Sequence, residues 1–179
     1  MPRKNARHHV LAVLGYSLIT VLFTFPTAVR LTSHIPGGGD APWFVWQLWW
    51  FKHAIVDLRQ SPLTTDLIYH PVTDVPVTWQ SPFNELAAIP LQAAFGPVVA
   101  YNLLILSTFI LSGYCTYLLI LQVIGPGPAA PSSSEAALLH GSPARSGGQR
   151  LLAFVGGLIF AFCAYRGMHS LYHLSLATT

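Results

Sequence analysis

Three groups of side chains in this 179-residue sequence could do chemistry. The first is a single carboxylate, Asp40, placed behind Gly37-Gly38-Gly39 and ahead of Ala41-Pro42 and the run Trp43-Phe44-Val45-Trp46-Gln47-Leu48-Trp49-Trp50-Phe51. At the start of a helix an Asp can cap, accepting the backbone N–H of Trp43. It can equally serve as a general base or metal ligand on a rigid support, with the glycines leaving space for a substrate. The residues alone leave these two roles even. The second group is Arg166, His169 and His173, whose spacings of three and seven put them within about 60° of one helix face. Such a strip suits a phosphate; the plainer reading is an anchor at a membrane boundary. Two His at i and i+4 would bind metal only with a third ligand, and none lies nearby in sequence. The third group is His34, His53, His70 and Asp74, which no short ligand spacing ties together, so no metal ligand is assigned. Lys52 and Asp57 read as a solvated helix edge; Tyr101-Asn102 could reach the loop, but helix packing is the plainer reading.

Composition says what must position these groups. Charged residues make up 8% of the chain, against roughly 25% in an average soluble domain. Mean hydropathy is +0.51. A soluble fold of this size needs more surface charge, so the sequence predicts an all-α integral membrane protein with the lipid bilayer as its surroundings. The net charge of +3 is small and no basic run is long, which argues against a nucleic-acid partner. Cys115 and Cys163 fall inside apolar segments and read as reduced packing residues.

About three membrane spans are expected. Arg3, Lys4 and Arg7 precede an uncharged stretch from His8 to Val29, long enough to cross a core of roughly 30 Å. It exceeds a signal-peptide core and no clean cleavage site follows. Pro26 should kink its outer end. The positive-inside bias places the N-terminus in the cytoplasm of a multi-pass protein of the cell (inner) membrane, and residues 32–96 outside. That outer loop holds five of the six acids and begins with the tryptophan run, which reads as a helix lying in the interface. Residues 61–80 read as ordered loop. Ser81-Pro82 then reads as a helix start with Glu85 in its first turn, and Pro90 disturbs that helix before about Ala94.

The second span is expected over residues 97–124, completing a first region of 1–124. Residues 125–150, mostly Gly, Pro, Ser and Ala, read as a flexible cytoplasmic linker. A third, short span begins at Leu151 in a last region of 151–179. Ala153, Gly157 and Ala161 give it a small-residue stripe for close packing. The sequence then stops with no terminating feature, as a truncated chain would.

The order of pieces resembles the N-terminal portion of polytopic membrane glycosyltransferases of the GT-C superfamily, especially family-39-like and RgtA/B/C/D-like proteins. The matching pieces are Thr24-Phe25-Pro26, Gly39-Asp40-Ala41 with the tryptophan helix, and Ile68-Tyr69-His70-Pro71. After them come Gly96-Pro97-Val98-Val99-Ala100-Tyr101-Asn102-Leu103-Leu104 and Gly157-Leu158-Ile159-Phe160-Ala161-Phe162-Cys163-Ala164-Tyr165-Arg166, with His169 and His173. The resemblance implies that Asp40 is a catalytic base or metal ligand, with a polyprenyl-phosphate-linked sugar as donor and an extracytoplasmic acceptor. Arg166, His169 and His173 would meet the donor phosphate. A divalent metal is compatible with this but not required, since one Asp stands where several members carry paired acids. Such enzymes have many more spans, so C-terminal transmembrane helices would be missing and this chain alone would be inactive. The alternative is a non-catalytic membrane assembly component or a degenerate fragment.

Overall fold

Helix α1 runs from Pro2 to Phe23 and sorts its side chains in an order opposite to that of a water-soluble helix. Leu11, Leu14, Leu18 and Leu22 are 52–68% exposed, while Ala12, Tyr16 and Thr20 at four-residue spacing are buried. The apolar column therefore faces outward, and the small or hydroxyl-bearing column faces the protein. The computed structural model describes residues 2–36, 38–78, 81–125 and 146–172 and, within them, the side chains of residues 6–168.

The chain is mostly helical. After α1 come a 3-10 turn at Thr27–Val29, α2 (Ala41–Lys52), a π-helical turn (His53–Leu58), β1 (Thr64–Thr65) and β2 (Val75–Pro76). Then follow α3 (Pro82–Phe95), α4 (Pro97–Val123), α5 (Gly147–Ala161) and α6 (Ala164–Tyr172). Helix α1 over Ala6–Phe23 and helix α4 over its full 27 residues are long and apolar enough to cross a membrane.

Several expectations change. Pro26 does not kink α1: the helix ends three residues earlier and the proline sits in the turn that follows. The third span, expected to be short, falls on α5, which has 15 residues, or about 22 Å at 1.5 Å per residue. A break at Phe162-Cys163 then separates it from α6. Helix α5 also starts before Leu151, inside the segment read as linker. Ser146 Oγ accepts from the Gln149 N–H at 3.2 Å, and Gln149 Oε1 accepts from the Ser146 N–H at 2.9 Å, a reciprocal capping box. The rest of the expected linker, residues 126–145, lies outside the described residues. The loop read over 61–80 contains a two-strand antiparallel pairing, Thr64 with Pro76 and Thr65 with Val75. Helix α3 continues through Pro90 to Phe95, and the proline ring lies on its exposed side.

The described residues divide into two compact units, one built from Met1–Thr20 and Phe109–Cys163, the other from Val21–Thr108 and Ala164–Thr179. In the first, the N-terminal part of α1 packs with the C-terminal half of α4 and with α5. Its centre is Tyr16, fully buried, whose hydroxyl donates to the Phe154 carbonyl at 3.0 Å and whose ring lies 4.7 Å from that of Phe154. Ala153, Gly157 and Ala161 are all buried on α5, so the expected small-residue stripe is the packing face. At the far end, Gln149 Nε2 donates to the Gly125 carbonyl at 3.3 Å and ties the start of α5 to the residues after α4.

A Cβ on Gly157 would fall against the Tyr16 hydroxyl and 2.5 Å from the Gly113 carbonyl oxygen. Gly157→Ala should therefore destabilise the chain by about 1–3 kcal/mol. Ile159→Leu, on the 70% exposed outer face, should stay within about 0.5 kcal/mol. Thermal unfolding in detergent checks both, and equal melting temperatures for the two variants would refute the close packing.

Candidate functional site

Helix α2 carries the first candidate. Its bounds, Ala41 to Lys52, follow the tryptophan run, with Asp40 at the N-cap position and Pro42 in the first turn. Gly39 has φ +56°, a left-handed turn that a side chain would oppose, and it swings the chain into the helix. The Asp40 backbone carbonyl accepts from the Phe44 N–H at 3.1 Å. Its side chain makes no capping hydrogen bond, however, and the residue is exposed. The expected bond to Trp43 is absent, so the carboxylate at the head of α2 is not engaged as a cap. Gly37, first of the three glycines, lies outside the described residues.

The segment leading to Asp40 is held from α4. Asn102, 1% exposed, donates through Nδ2 to the carbonyls of Leu31 (2.8 Å) and His34 (2.7 Å), while its Oδ1 has no partner among the described residues. Of the two readings the sequence offers for Asn102, helix packing and reaching the loop, the second holds: it fastens the segment after α1, because two carbonyl oxygens at a chain turn need a donor that the local backbone does not supply.

The tryptophans support the same unit from within. Trp50 is 2% exposed and donates its indole N–H to the Pro62 carbonyl at 2.9 Å, tying α2 to the chain just before β1. Trp50, Phe51, Ala54 and Val77 form a small core on which Trp46 and Trp49 pack. Trp43 and Trp46 stack at 4.8 Å between ring centroids. An interfacial role was expected for these rings; at least Trp50 serves as core.

Between α2 and α3 lies a buried polar cluster that sequence reasoning missed. Gln47 (2% exposed) donates through Nε2 to Glu85 Oε1 at 2.9 Å and to the Thr78 carbonyl at 2.7 Å. The Ser81 N–H also points to Glu85 Oε1, at 3.4 Å, and Gln92 Nε2 donates to the Leu48 carbonyl at 2.7 Å. Glu85 lies in the first turn of α3 as expected, and it is also buried, at 2% exposed. The signal was there: Asn84, Glu85, Ala88 and Gln92 share the buried face of α3, at spacings that bring polar groups to one side of an otherwise apolar helix. Ser81 occupies the expected N-cap position, but its side chain makes no capping bond and its Oγ accepts from Asn84 Nδ2 at 2.7 Å.

The remaining candidates separate. Lys52 and His53 both meet Asp57, at 2.8 Å and 2.9 Å, closing the π-helical turn that Arg59 ends in a left-handed conformation. The Lys52 hydrogen bond, and then that of His53, hold the Asp57 carboxyl below its ordinary range. That contribution is complete above about pH 3.9 and is lost as the pH falls through the lowered value. His34, His70 and Asp74 are exposed. Asp66 Oδ1 accepts the Asp74 N–H at 2.7 Å, closing the loop between β1 and β2. Among the described residues no three His, Cys, Asp or Glu converge on a common point that would hold a metal ion. Arg166 sits half-buried on α6, in the same compact unit as Asp40. His169 belongs to α6 by its backbone, but its side chain and the whole of His173 lie outside the described residues. The single strip expected from Arg166, His169 and His173 is thus described only at its first member.

Compared with protein-family models, curated proteins and solved structures, the chain matches none.

The buried cluster makes a direct prediction. Gln47→Leu removes a donor from a carboxylate shielded from water and should cost about 1–3 kcal/mol. Gln47→Leu combined with Glu85→Leu removes both partners and should recover much of that loss. Unfolding of the single and double variants in detergent measures the coupling, and strictly additive losses would contradict it.

Proposed function

We propose that the chain is a multi-pass protein of the cell (inner) membrane with its N-terminus in the cytoplasm, and that it forms the N-terminal part of a GT-C-type glycosyltransferase. The reaction would pass a sugar from a polyprenyl-phosphate donor to an extracytoplasmic acceptor. The observation that carries the catalytic reading is the Asp40 carboxylate, which stands exposed at the N-cap position of a packed helix. The two long apolar helices support the membrane part.

In this reading Asp40 takes the proton of the acceptor hydroxyl as its oxygen attacks the anomeric carbon. The bond from that carbon to the donor phosphate breaks, and the polyprenyl phosphate leaves with the electron pair. Arg166, with His169 and His173, would balance the phosphate charge. The resemblance in sequence allows a divalent metal, but the described residues around Asp40 offer no ligand set for one, so no step is drawn through a metal. The π-turn clamp at Asp57 and the Asn102 bonds fix the support on either side of Asp40 without touching the reacting atoms.

Asp40→Asn keeps the size of the side chain while removing the proton acceptor. Loss of a general base typically costs 10²–10⁴ in rate, roughly 2.7–5.5 kcal/mol of barrier. At an exposed position the near-isosteric amide should leave expression and melting temperature near wild type. Trp46→Ala is the contrast, since it removes packing from the small core but no proton acceptor. Sugar transfer from a polyprenyl-phosphate donor, measured in membranes at matched protein level in the longer protein this reading requires, decides it. Near wild-type transfer by Asp40→Asn would remove Asp40 from the chemistry and leave the chain as a non-catalytic membrane component.

A further inference from the structure

Helix α3 turns its polar side inward and its apolar side outward. Its three polar residues, Asn84, Glu85 and Gln92, are all buried, and every other residue of the helix is apolar. Phe83, Leu86, Pro90 and Ala94 are exposed and, at spacings of three and four, form one stripe opposite the polar face. Phe83 is 72% exposed, Leu86 50% and Phe95, in the last turn, 60%. The polar face is taken up by α2, through the bonds of Gln47 to Glu85 and of Gln92 to the Leu48 carbonyl. A helix built for water would place these two faces the other way round.

We propose that α3 lies flat on the outer surface of the bilayer, with the stripe of Phe83, Leu86, Pro90 and Ala94 sunk among the lipids of that leaflet and α2 carried on its opposite side. The assignment rests on the membrane part of the proposed function and is independent of its glycosyltransferase part. Two observations choose lipid over a protein partner. The first is continuity with a long apolar helix. Gly96 alone separates α3 from α4; its N–H donates to the Gln92 carbonyl and its carbonyl accepts from the Ala100 N–H. Helix α4 has 27 residues, or about 40 Å at 1.5 Å per residue. That exceeds a hydrocarbon core of roughly 30 Å, so the first turn of α4 reaches the headgroups and the end of α3 is held at their level. Gly96, at φ +83°, supplies the bend that lets the two helices diverge there. The second observation is the chemistry of the stripe. A protein interface rings its apolar centre with polar groups, whereas the outward side of α3 presents no polar side chain. Acyl chains ask for none. Interfacial helices seat an apolar face in this way, about 5–10 Å into the boundary between headgroups and acyl chains. The helix seated in lipid is thus α3, where the residues alone favoured the tryptophan helix α2.

The test uses the full chain carrying Cys115→Ala and Cys163→Ala, with one new cysteine labelled by a fluorescent bimane. Each variant is reconstituted in phosphatidylcholine vesicles, with or without brominated acyl chains. Leu86→Cys reports on the stripe. Gln60→Cys marks an exposed polar position of the same unit, and Leu18→Cys an outward position on α1 that is 61% exposed. Brominated lipid should quench the label at Leu86→Cys and Leu18→Cys several-fold more than at Gln60→Cys. Iodide, present on both sides of the bilayer, should show the reverse order. A label at Phe83→Cys should repeat the result at Leu86→Cys, and iodide quenching at one of the two would overturn the flat seating. If Leu18→Cys shows no quenching by lipid, the membrane reading fails and this assignment falls with it. If Leu18→Cys is quenched by lipid while Leu86→Cys responds to iodide as Gln60→Cys does, α3 lies in water and this assignment alone is overturned. Shielding of Leu86→Cys from both quenchers overturns it too, since a second copy or another stretch of protein would then cover the stripe.

Discussion

The Tyr16 ring lies where three glycine positions let helices approach, and the first compact unit depends on that contact. Side chains on Gly113 or Gly157 would overlap Tyr16, and one on Gly15 would overlap Phe154 at 2.8 Å. Helices brought this close gain dispersion contacts and backbone-directed hydrogen bonds that need no surrounding water. The Tyr16 hydroxyl illustrates this by donating to a helix carbonyl rather than to solvent. With the small residues turned inward, the leucines of α1 and the Leu151, Leu152 and Ile159 side chains of α5 are left outward. Such a surface calls for an apolar solvent, and the proposed bilayer would provide it.

The second unit is held together differently. It uses buried amides and a buried carboxylate between α2 and α3, an indole N–H bonded to the chain before β1, and an asparagine holding two loop carbonyls. These bonds suit a region where segments other than long helices must have their backbone groups satisfied one by one. They also explain how an exposed carboxylate at the head of α2 can be positioned. Lys52, His53 and Asp57 fix one end of the helix, Asn102 restrains the approach to the other, and Asp40 stands exposed between them.

Much of this was legible from the residues. The start of α2 followed from Gly-Asp-Ala-Pro, and the buried stripe of α5 followed from its four-residue spacing of Ala, Gly and Ala. The capping box at Ser146 was equally readable as Ser-Gly-Gly-Gln, but the glycines around it suggested linker. Glu85 and Asn102 were harder. Each obeys a local rule, a first-turn acid and a packing amide, while its partners are 38 and 68 to 71 residues away in the chain. Local periodicity fixes which face a residue occupies, and tertiary pairing decides what that face meets. The Asp40 cap failed for a related reason: the N-cap position was right, but nothing in the sequence required its side chain to bond there.

The central proposal is that residues 32–96, with α2 and α3, lie on the outer side of the membrane and the N-terminus inside. The most direct measurement is single-cysteine labelling in intact cells, in a background lacking Cys115 and Cys163. A cysteine replacing Ser81, half-buried at the start of α3, should react with a membrane-impermeant maleimide added from outside. A cysteine replacing Ala6 should react only after the membrane is opened. Labelling of position 81 only from the cytoplasmic side would contradict the account.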